Sequence, residues 1–185
     1  MELDRRSNST LWRDAVETEI KQINEYKTFR LLAIGEVLDE YTCIPYRFVF
    51  DIKFDGRRTA RLVAGGNHTM LPKEDIYSGV VGIESIRIGF LLAEQNGCDA
   101  DIGNAFLYGK TREKVMIKAC REFGATLANQ ILVIDKSLYG LKSSSARFHE
   151  YLSEKLRMNF TKTKADSDFW IKDCGTHYEY MARYR

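Results

Sequence analysis

The sequence predicts an α+β fold with a largely antiparallel sheet. Three observations carry that prediction. Apolar residues recur at helical spacing in three separated segments. One run alternates apolar and polar residues on both sides of an Asp-Gly turn signal, as a hairpin does. The element order is helix, hairpin, helix, then short strands mixed with one more helix, which disfavours a doubly wound parallel sheet.

Residues 9–24 read as the first helix. Trp12, Val16, Ile20 and Ile23 fall on one stripe, and Ser9 or Thr10 is placed to cap its start. Residues 47–64 read as the hairpin. Phe48, Phe50, Ile52 and Phe54 alternate with Arg47, Val49, Asp51 and Lys53, and Asp55-Gly56 supplies the turn. A three-residue loop from Asp55 to Arg57 keeps the faces matched. It sets Phe50 opposite Leu62 and Asp51 opposite Arg61. A two-residue loop would instead bury the Arg61 cation among the phenylalanines, which is too costly. Lys53, Arg57, Arg58 and Arg61 then collect on the tip and the wet face.

Residues 84–96 read as the second helix, with Ile86, Phe90 and Ala93 inward and Asn96-Gly97 as its stop. A short strand carrying Cys98 to Ile102 follows, then a turn near Asn104–Gly109. Strands are expected at Val115–Ile117 and Ile131–Ile134. The third helix spans about 144–158, with Phe148, Leu152 and Leu156 inward and the run Ser143–Ser145 able to cap it. Asp168–Ile171 and Tyr178–Tyr184 close the chain as strands.

Composition bounds the function classes. The chain has 185 residues, enough for one domain or two small lobes, and 44% hydrophobic content suffices for a packed core. A net charge of +2 is too mild to argue for nucleic acid, so any basic surface must come from local clustering. The cysteines Cys43, Cys98, Cys120 and Cys174 are scattered, with no two at zinc-site spacing, which fits a reducing compartment. His68, His149 and His177 likewise show no metal-ligand spacing among themselves. The charged start lacks a signal-peptide core, and no apolar run nears the roughly 20 residues of a membrane span. A soluble intracellular protein without membrane contact is therefore expected.

Two blocks carry the chemistry. The first is Asp99-Ala-Asp101-Ile-Gly-Asn-Ala-Phe106-Leu-Tyr-Gly109, and the second is Lys136-Ser-Leu-Tyr-Gly-Leu-Lys142. A carboxylate leaving a short apolar segment, followed by small residues and an aromatic, suits a metal ion with a nucleotide lying across the strand. On residues alone, Asp101 could equally end a strand or cap a helix. Together the blocks resemble the palm motifs of copia-type retrotransposon reverse transcriptases. Three further stretches extend the likeness in the right order. They are the Trp12–Ala15–Glu19 helix, the hairpin from Phe48 to Ala64, and Tyr77-Ser-Gly-Val-Val with Glu84-Ser-Ile-Arg87. Gly79 departs from the family, which often has proline there.

The resemblance implies the fingers and palm of a right-hand polymerase without the thumb. Residues 1–185 form one domain, with about 9–97 fingers-like and about 98–185 palm-like. It implies RNA-directed DNA synthesis by two-metal nucleotidyl transfer, with the ions about 3.5–4 Å apart. Asp101 is then the catalytic carboxylate, holding Mg²⁺ with the carbonyl oxygen of Ile102. Asn104, Ala105 and Phe106 lie under the triphosphate, Phe106 as a steric gate against a ribose 2′-hydroxyl. Lys53 and Arg61 clamp the triphosphate, and Tyr139 and Gly140 lie close to the incoming nucleotide. Arg57 and Arg58 touch template phosphates or only water, and Lys142 can contact the duplex backbone. The implied partners are an RNA or DNA template–primer, deoxynucleoside triphosphates and the rest of a retrotransposon polyprotein, in the cytoplasm or in virus-like particles.

The family continues its last apolar strand into Tyr-Val-Asp-Asp. Tyr178-Glu-Tyr-Met-Ala-Arg-Tyr184 resembles that strand, and Arg185 follows without the paired aspartates. Residues 1–185 alone are therefore expected to be inactive. Two other readings stay open: a non-catalytic primer–template binding module or decayed remnant, and an unrelated α+β metal-dependent hydrolase using Asp101.

Overall fold

A computed structural model of the chain describes residues 4–5, 8–36, 38–70, 72, 76, 78–97 and 102–183. The chain forms two compact units. One comprises Met1–Ile76 with Phe106–Phe148, and the other Tyr77–Ala105 with His149–Arg185.

In the first unit, helix α1 (Leu11–Glu25) buries Val16, Ile20 and Ile23 of the predicted stripe, together with Ala15. Trp12 is half-buried, edge-on to Phe50 with ring centres 5.4 Å apart. Thr10 occupies the cap position, but its side chain does not cap the helix. Both carboxylate oxygens of the buried Asp4 do so, accepting the N–H groups of Trp12 and Arg13 at 3.0 Å each. A four-stranded sheet runs in the order β1 (Phe29–Leu31), β6 (Ile131–Ile134), β5 (Val115–Lys118), β2 (Thr42–Cys43). Its pairs are antiparallel except β2 with β5. Val115, Ile117, Leu132 and Ile134 join the α1 stripe and Leu62 in one core. Full burial of each such side chain contributes about 1.5–3 kcal/mol.

Strands β3 (Tyr46–Ile52) and β4 (Arg58–Ala64) make the hairpin, in a register shifted two residues from the one expected. Phe50 faces Ala60, Phe48 faces Leu62, and Arg61 faces Val49 rather than Asp51. The loop has three residues, but they are Phe54, Asp55 and Gly56. Lys53 N–H donates to the Arg57 carbonyl at 2.9 Å, and Gly56 (φ +82°) donates to the Lys53 carbonyl at 2.8 Å. This is a tight turn followed by a left-handed glycine, a common three-residue hairpin connection. Because the shift is even, every side chain keeps its face. Ile52 and Phe54, expected to be inward, are exposed. Phe54 belongs to the loop, and Ile52 faces Arg58 at the outer end of the ladder.

In the second unit, helix α2 (Ile83–Asn96) ends where expected, with Gly97 left-handed at φ +62°. Its inward side is Ile86, Gly89, Leu92 and Ala93, whereas Phe90 is 71% exposed. Gly89, not Phe90, occupies the position facing Phe169. A side-chain carbon there would lie 3.6 Å from the ring. The sheet of this unit runs β7 (Thr161–Lys162), β8 (Phe169–Asp173), β9 (Tyr178–Ala182), all antiparallel. Asp168, ahead of β8, is buried. Its Oδ1 lies 2.9 Å from His149 Nε2, and burial pushes its carboxyl up from the ordinary range. Gly79 has a steric reason, since any Cβ there would sit 2.4 Å from Asp168 Oδ2.

Helix α3 (Ser144–Leu156) lends Ser144–Phe148 to the first unit and the remainder to the second. It buries Phe148, Leu152 and Leu156 as expected. The strand expected over Cys98–Ile102 lies outside the described residues apart from Ile102, and Asp99 and Asp101 fall in the undescribed part. Among the described residues, no helix is long and apolar enough to cross a membrane.

Candidate nucleotide-binding site

The site of the first unit is built on β4. In this register the N–H groups of Leu62 and Ala64 point away from β3, so the outer edge of β4 needs other acceptors. Glu19 of α1 supplies one, its Oε1 accepting from Leu62 N–H at 2.8 Å. The Tyr139 carbonyl supplies the other, accepting from Ala64 N–H at 2.7 Å. Arg61 directly precedes Leu62, with its side chain on the exposed face. Burial raises the Glu19 carboxyl above its ordinary range, opposed by the Leu62 hydrogen bond and the Arg61 charge.

The loop Ser137–Lys142 is fastened close to β4 by backbone contact. Gly140 has φ +92°, and a Cβ on it would come within 2.1 Å of the Ala64 carbonyl oxygen. On Gly66, a Cβ would come within 2.2 Å of the Gly140 carbonyl oxygen. Only glycine allows these approaches. Beyond them, Lys142 Nζ donates to the Thr69 carbonyl at 2.5 Å. Ser143 donates both its N–H (2.9 Å) and its hydroxyl (2.6 Å) to Glu113 Oε1. The Ser144 hydroxyl donates to the Leu138 carbonyl, so these two hydroxyls brace the loop as donors.

This scaffold lines up one cation and three rings. The Arg61 guanidinium carbon is 5.1 Å from the centre of the Tyr139 ring. Tyr139 meets Phe106 edge-on at 4.9 Å, and Phe106 meets Phe148 at 6.4 Å. Phe106 stands on the 3₁₀ turn Ala105–Tyr108, held by buried Leu107 and by the 3.0 Å hydrogen bond between Tyr108 and Tyr26. Arg61, Tyr139, Gly140 and Phe106, drawn from three distant parts of the sequence, thus come together.

The other expected site residues are placed differently. Lys53 shares the exposed face with Arg61, but its strand position is four residues beyond Val49, about 13 Å along the ladder. Only the length of the two side chains lets them converge. At the tip, Arg57 Nε pairs with Asp55 Oδ2 at 2.6 Å. Arg58 lies 6.0 Å over the Trp12 ring and donates to the Gly56 carbonyl at 2.8 Å. Ile102, Asn104 and Ala105 belong to the second unit and are half-buried, Asn104 with φ +54°. Asp101 lies outside the described residues. Sequence reasoning gave no role to Glu19 or Glu113. A periodicity signal cannot find them, because each acts on backbone or hydroxyl groups 30 or more positions away.

A family model described as reverse transcriptase (RNA-dependent DNA polymerase) matches residues 26–184. The chain belongs to that family, in its copia-type branch. Among curated proteins, the Transposon Ty1-DR4 Gag-Pol polyprotein of Saccharomyces cerevisiae is 28% identical over 151 residues. That match covers 76% of this chain and 9% of the relative. The Transposon Ty1-DR6 Gag-Pol polyprotein of the same organism is also 28% identical, with 76% and 8% covered. The chain thus spans less than a tenth of the length of these relatives. No solved structure matches it. The family match includes both motif blocks and the hairpin, so Arg61, Phe106 and Tyr139 lie within it, whereas Glu19 precedes it.

Proposed function

We propose that this domain selects and holds the incoming deoxynucleoside triphosphate during RNA-directed DNA synthesis, as part of a larger retrotransposon polyprotein. The line from Arg61 through Tyr139 to Phe106 carries the reading. Arg61 presents a planar fork suited to phosphate oxygens, and stacking on Tyr139 limits the orientations that fork can take. Lys53 adds a mobile charge from the same face. The Phe106 ring lies under the sugar and excludes a 2′-hydroxyl by collision. Gly140 lets the loop backbone approach the nucleotide. Asn104 and Ala105 offer backbone N–H groups to the phosphates, and Arg57, Arg58 and Lys142 are candidate contacts to template–primer phosphates.

Asp101 and the Ile102 carbonyl are hard oxygen donors, the set that fits Mg²⁺. Bound there, the ion would supply activation of the primer oxygen and neutralisation of phosphate charge. The fingers-like and palm-like division, with template–primer as partner and the cytoplasm or a virus-like particle as location, belongs to the same reading.

The test titrates residues 1–185 with a fluorescent deoxynucleoside triphosphate in Mg²⁺. Arg61→Ala is expected to weaken binding about tenfold or more, matching loss of a charge-assisted hydrogen bond of about 1.5–3 kcal/mol. Phe106→Val is expected to bring ribonucleotide affinity up towards that of the deoxynucleotide. Equal affinities for wild type and Arg61→Ala, with unchanged sugar discrimination in Phe106→Val, would overturn the assignment.

A further inference from the structure

The turn joining β8 and β9 gathers a different set of groups. Its sequence is Cys174-Gly-Thr-His177, followed at one remove by Glu179. Lys172 pairs with Glu179 across the ladder, and Cys174 N–H donates to the His177 carbonyl at 2.9 Å, continuing the same register. Side chains alternate along extended backbone, so Cys174, just past the end of β8, falls on the face of Lys172, and His177, just before β9, falls on the matching face of Glu179. Gly175, at φ +80°, makes so tight a turn possible. The result is a thiol, an imidazole and a carboxylate whose ligand atoms all lie within 4.8 Å of one another. Cys174 is half-buried and the other two are exposed.

We propose that Cys174, His177 and Glu179 bind a borderline-soft divalent cation of the Zn²⁺ class, clipping the β8–β9 turn. One sulfur, one nitrogen and one oxygen donor is a set zinc accepts, with water completing the tetrahedron. Zinc bonds of about 2.0–2.3 Å place ligand atoms about 3.3–3.6 Å apart, so the three groups must close by about 1 Å. Rotation of the exposed His177 and Glu179 side chains can supply that. The donors also set selectivity, since thiolate and imidazole disfavour Mg²⁺, the ion suited to carboxylate and carbonyl oxygens. Two neighbours compete for these donors: the Thr176 hydroxyl, 3.1 Å from His177 Nδ1, and Lys172. Its Nζ holds Glu179 Oε2 at 2.9 Å, and the cation must take its place.

The test titrates metal-free residues 1–185 with Co²⁺ as a spectroscopic probe, then displaces it with Zn²⁺. One equivalent is expected to produce a thiolate-to-cobalt charge-transfer band together with tetrahedral d–d bands, and Zn²⁺ should abolish both. Cys174→Ser should remove the charge-transfer band, and His177→Ala should weaken binding at least tenfold. Lys172→Ala should strengthen binding, a change that a cation held elsewhere would not show. His177 is exposed, so its replacement leaves the fold available for measurement. Absence of cobalt absorption, or a charge-transfer band surviving in Cys174→Ser, would overturn the proposal.

Discussion

Gly140→Ala should damage the first unit more than a turn glycine substitution ordinarily does. Two separate costs add. The left-handed conformation at φ +92° penalises a Cβ by about 1–2 kcal/mol. In addition, the new methyl would stand 2.1 Å from the Ala64 carbonyl oxygen and 2.8 Å from Val63 Cγ1. Backbone oxygen cannot swing aside, so the loop must withdraw and the 2.7 Å bond from Ala64 to Tyr139 is lost, a further cost of about 0.5–1.5 kcal/mol. The sum is about 1.5–3.5 kcal/mol. Gly56→Ala is the internal control. It has φ +82° but nothing within 4 Å of its Cβ, so only the conformational cost of about 1–2 kcal/mol applies. Urea unfolding followed by Trp12 fluorescence reads the first unit when Trp170, buried in the second, is replaced by Phe. The midpoint should fall further for Gly140→Ala, and triphosphate affinity should fall with it while Gly56→Ala keeps its affinity. Equal midpoints for the two variants would refute the close-approach account of Gly140.

Two further substitutions test the anchors of α1. The raised Glu19 carboxyl means the folded state holds that proton more tightly than the unfolded chain does. Its contribution is therefore full below the unfolded value of about 4.5 and is lost as pH rises through the higher folded value. Glu19→Gln keeps an oxygen acceptor for Leu62 but cannot titrate, so unfolding midpoints measured across that window should lose this component of pH dependence. A variant with an unaltered pH profile would count against burial as the cause. Asp4→Ala removes both acceptors at the start of α1 and should cost about 1–2 kcal/mol, measured by the same urea assay; a cost near zero would mean that another group caps the helix.

Much of this architecture was legible in the sequence, and the misses share a cause. Periodicity located helices α1, α2 and α3, and of the expected stripe Val16, Ile20 and Ile23 are buried while Trp12 is half-buried. Matching apolar faces located the hairpin, but face matching fixes register only to an even number of residues. Turn chemistry decides the remainder. Here Gly56 takes the left-handed position, which moves the loop one residue towards the N-terminus and sets Val49, not Asp51, opposite Arg61. The cap from Asp4, the pairing of His149 with Asp168 and the clustering of Cys174 with His177 and Glu179 were missed for another reason. The cap and the His149 pairing depend on which segments meet in space, and the Cys174 cluster mixes three residue types within one turn, whereas the spacings read from the sequence were those of cysteines with cysteines and histidines with histidines. The site was legible as a set of residues through family likeness. Its construction was not, because Glu19, Gly66 and Glu113 act on backbone or on distant hydroxyls.

The support of Arg61 comes from the edge of β4, and amide exchange can separate its parts. An unpaired strand edge exposes N–H groups that must find acceptors or water. Leu62 uses a side chain from α1, and Ala64 uses a carbonyl of the Tyr139 loop. The two acceptors are independent in sequence and differ in kind, so they should fail independently. Glu19→Ala should speed exchange at Leu62 and leave Ala64 protected, whereas Gly140→Ala should speed exchange at Ala64 and leave Leu62 protected. Arg61 N–H faces β3, opposite Val49, and should stay slow in both variants. Each variant would then free one outer-edge amide of the strand just after Arg61 while the Arg61 amide remains in the ladder. A triphosphate-affinity loss in both variants, without loss of Arg61 protection, would locate the effect in the aim of the guanidinium rather than in unfolding of the hairpin. Coupled exchange at all three amides in either variant would refute separate anchoring and make the hairpin a single opening unit.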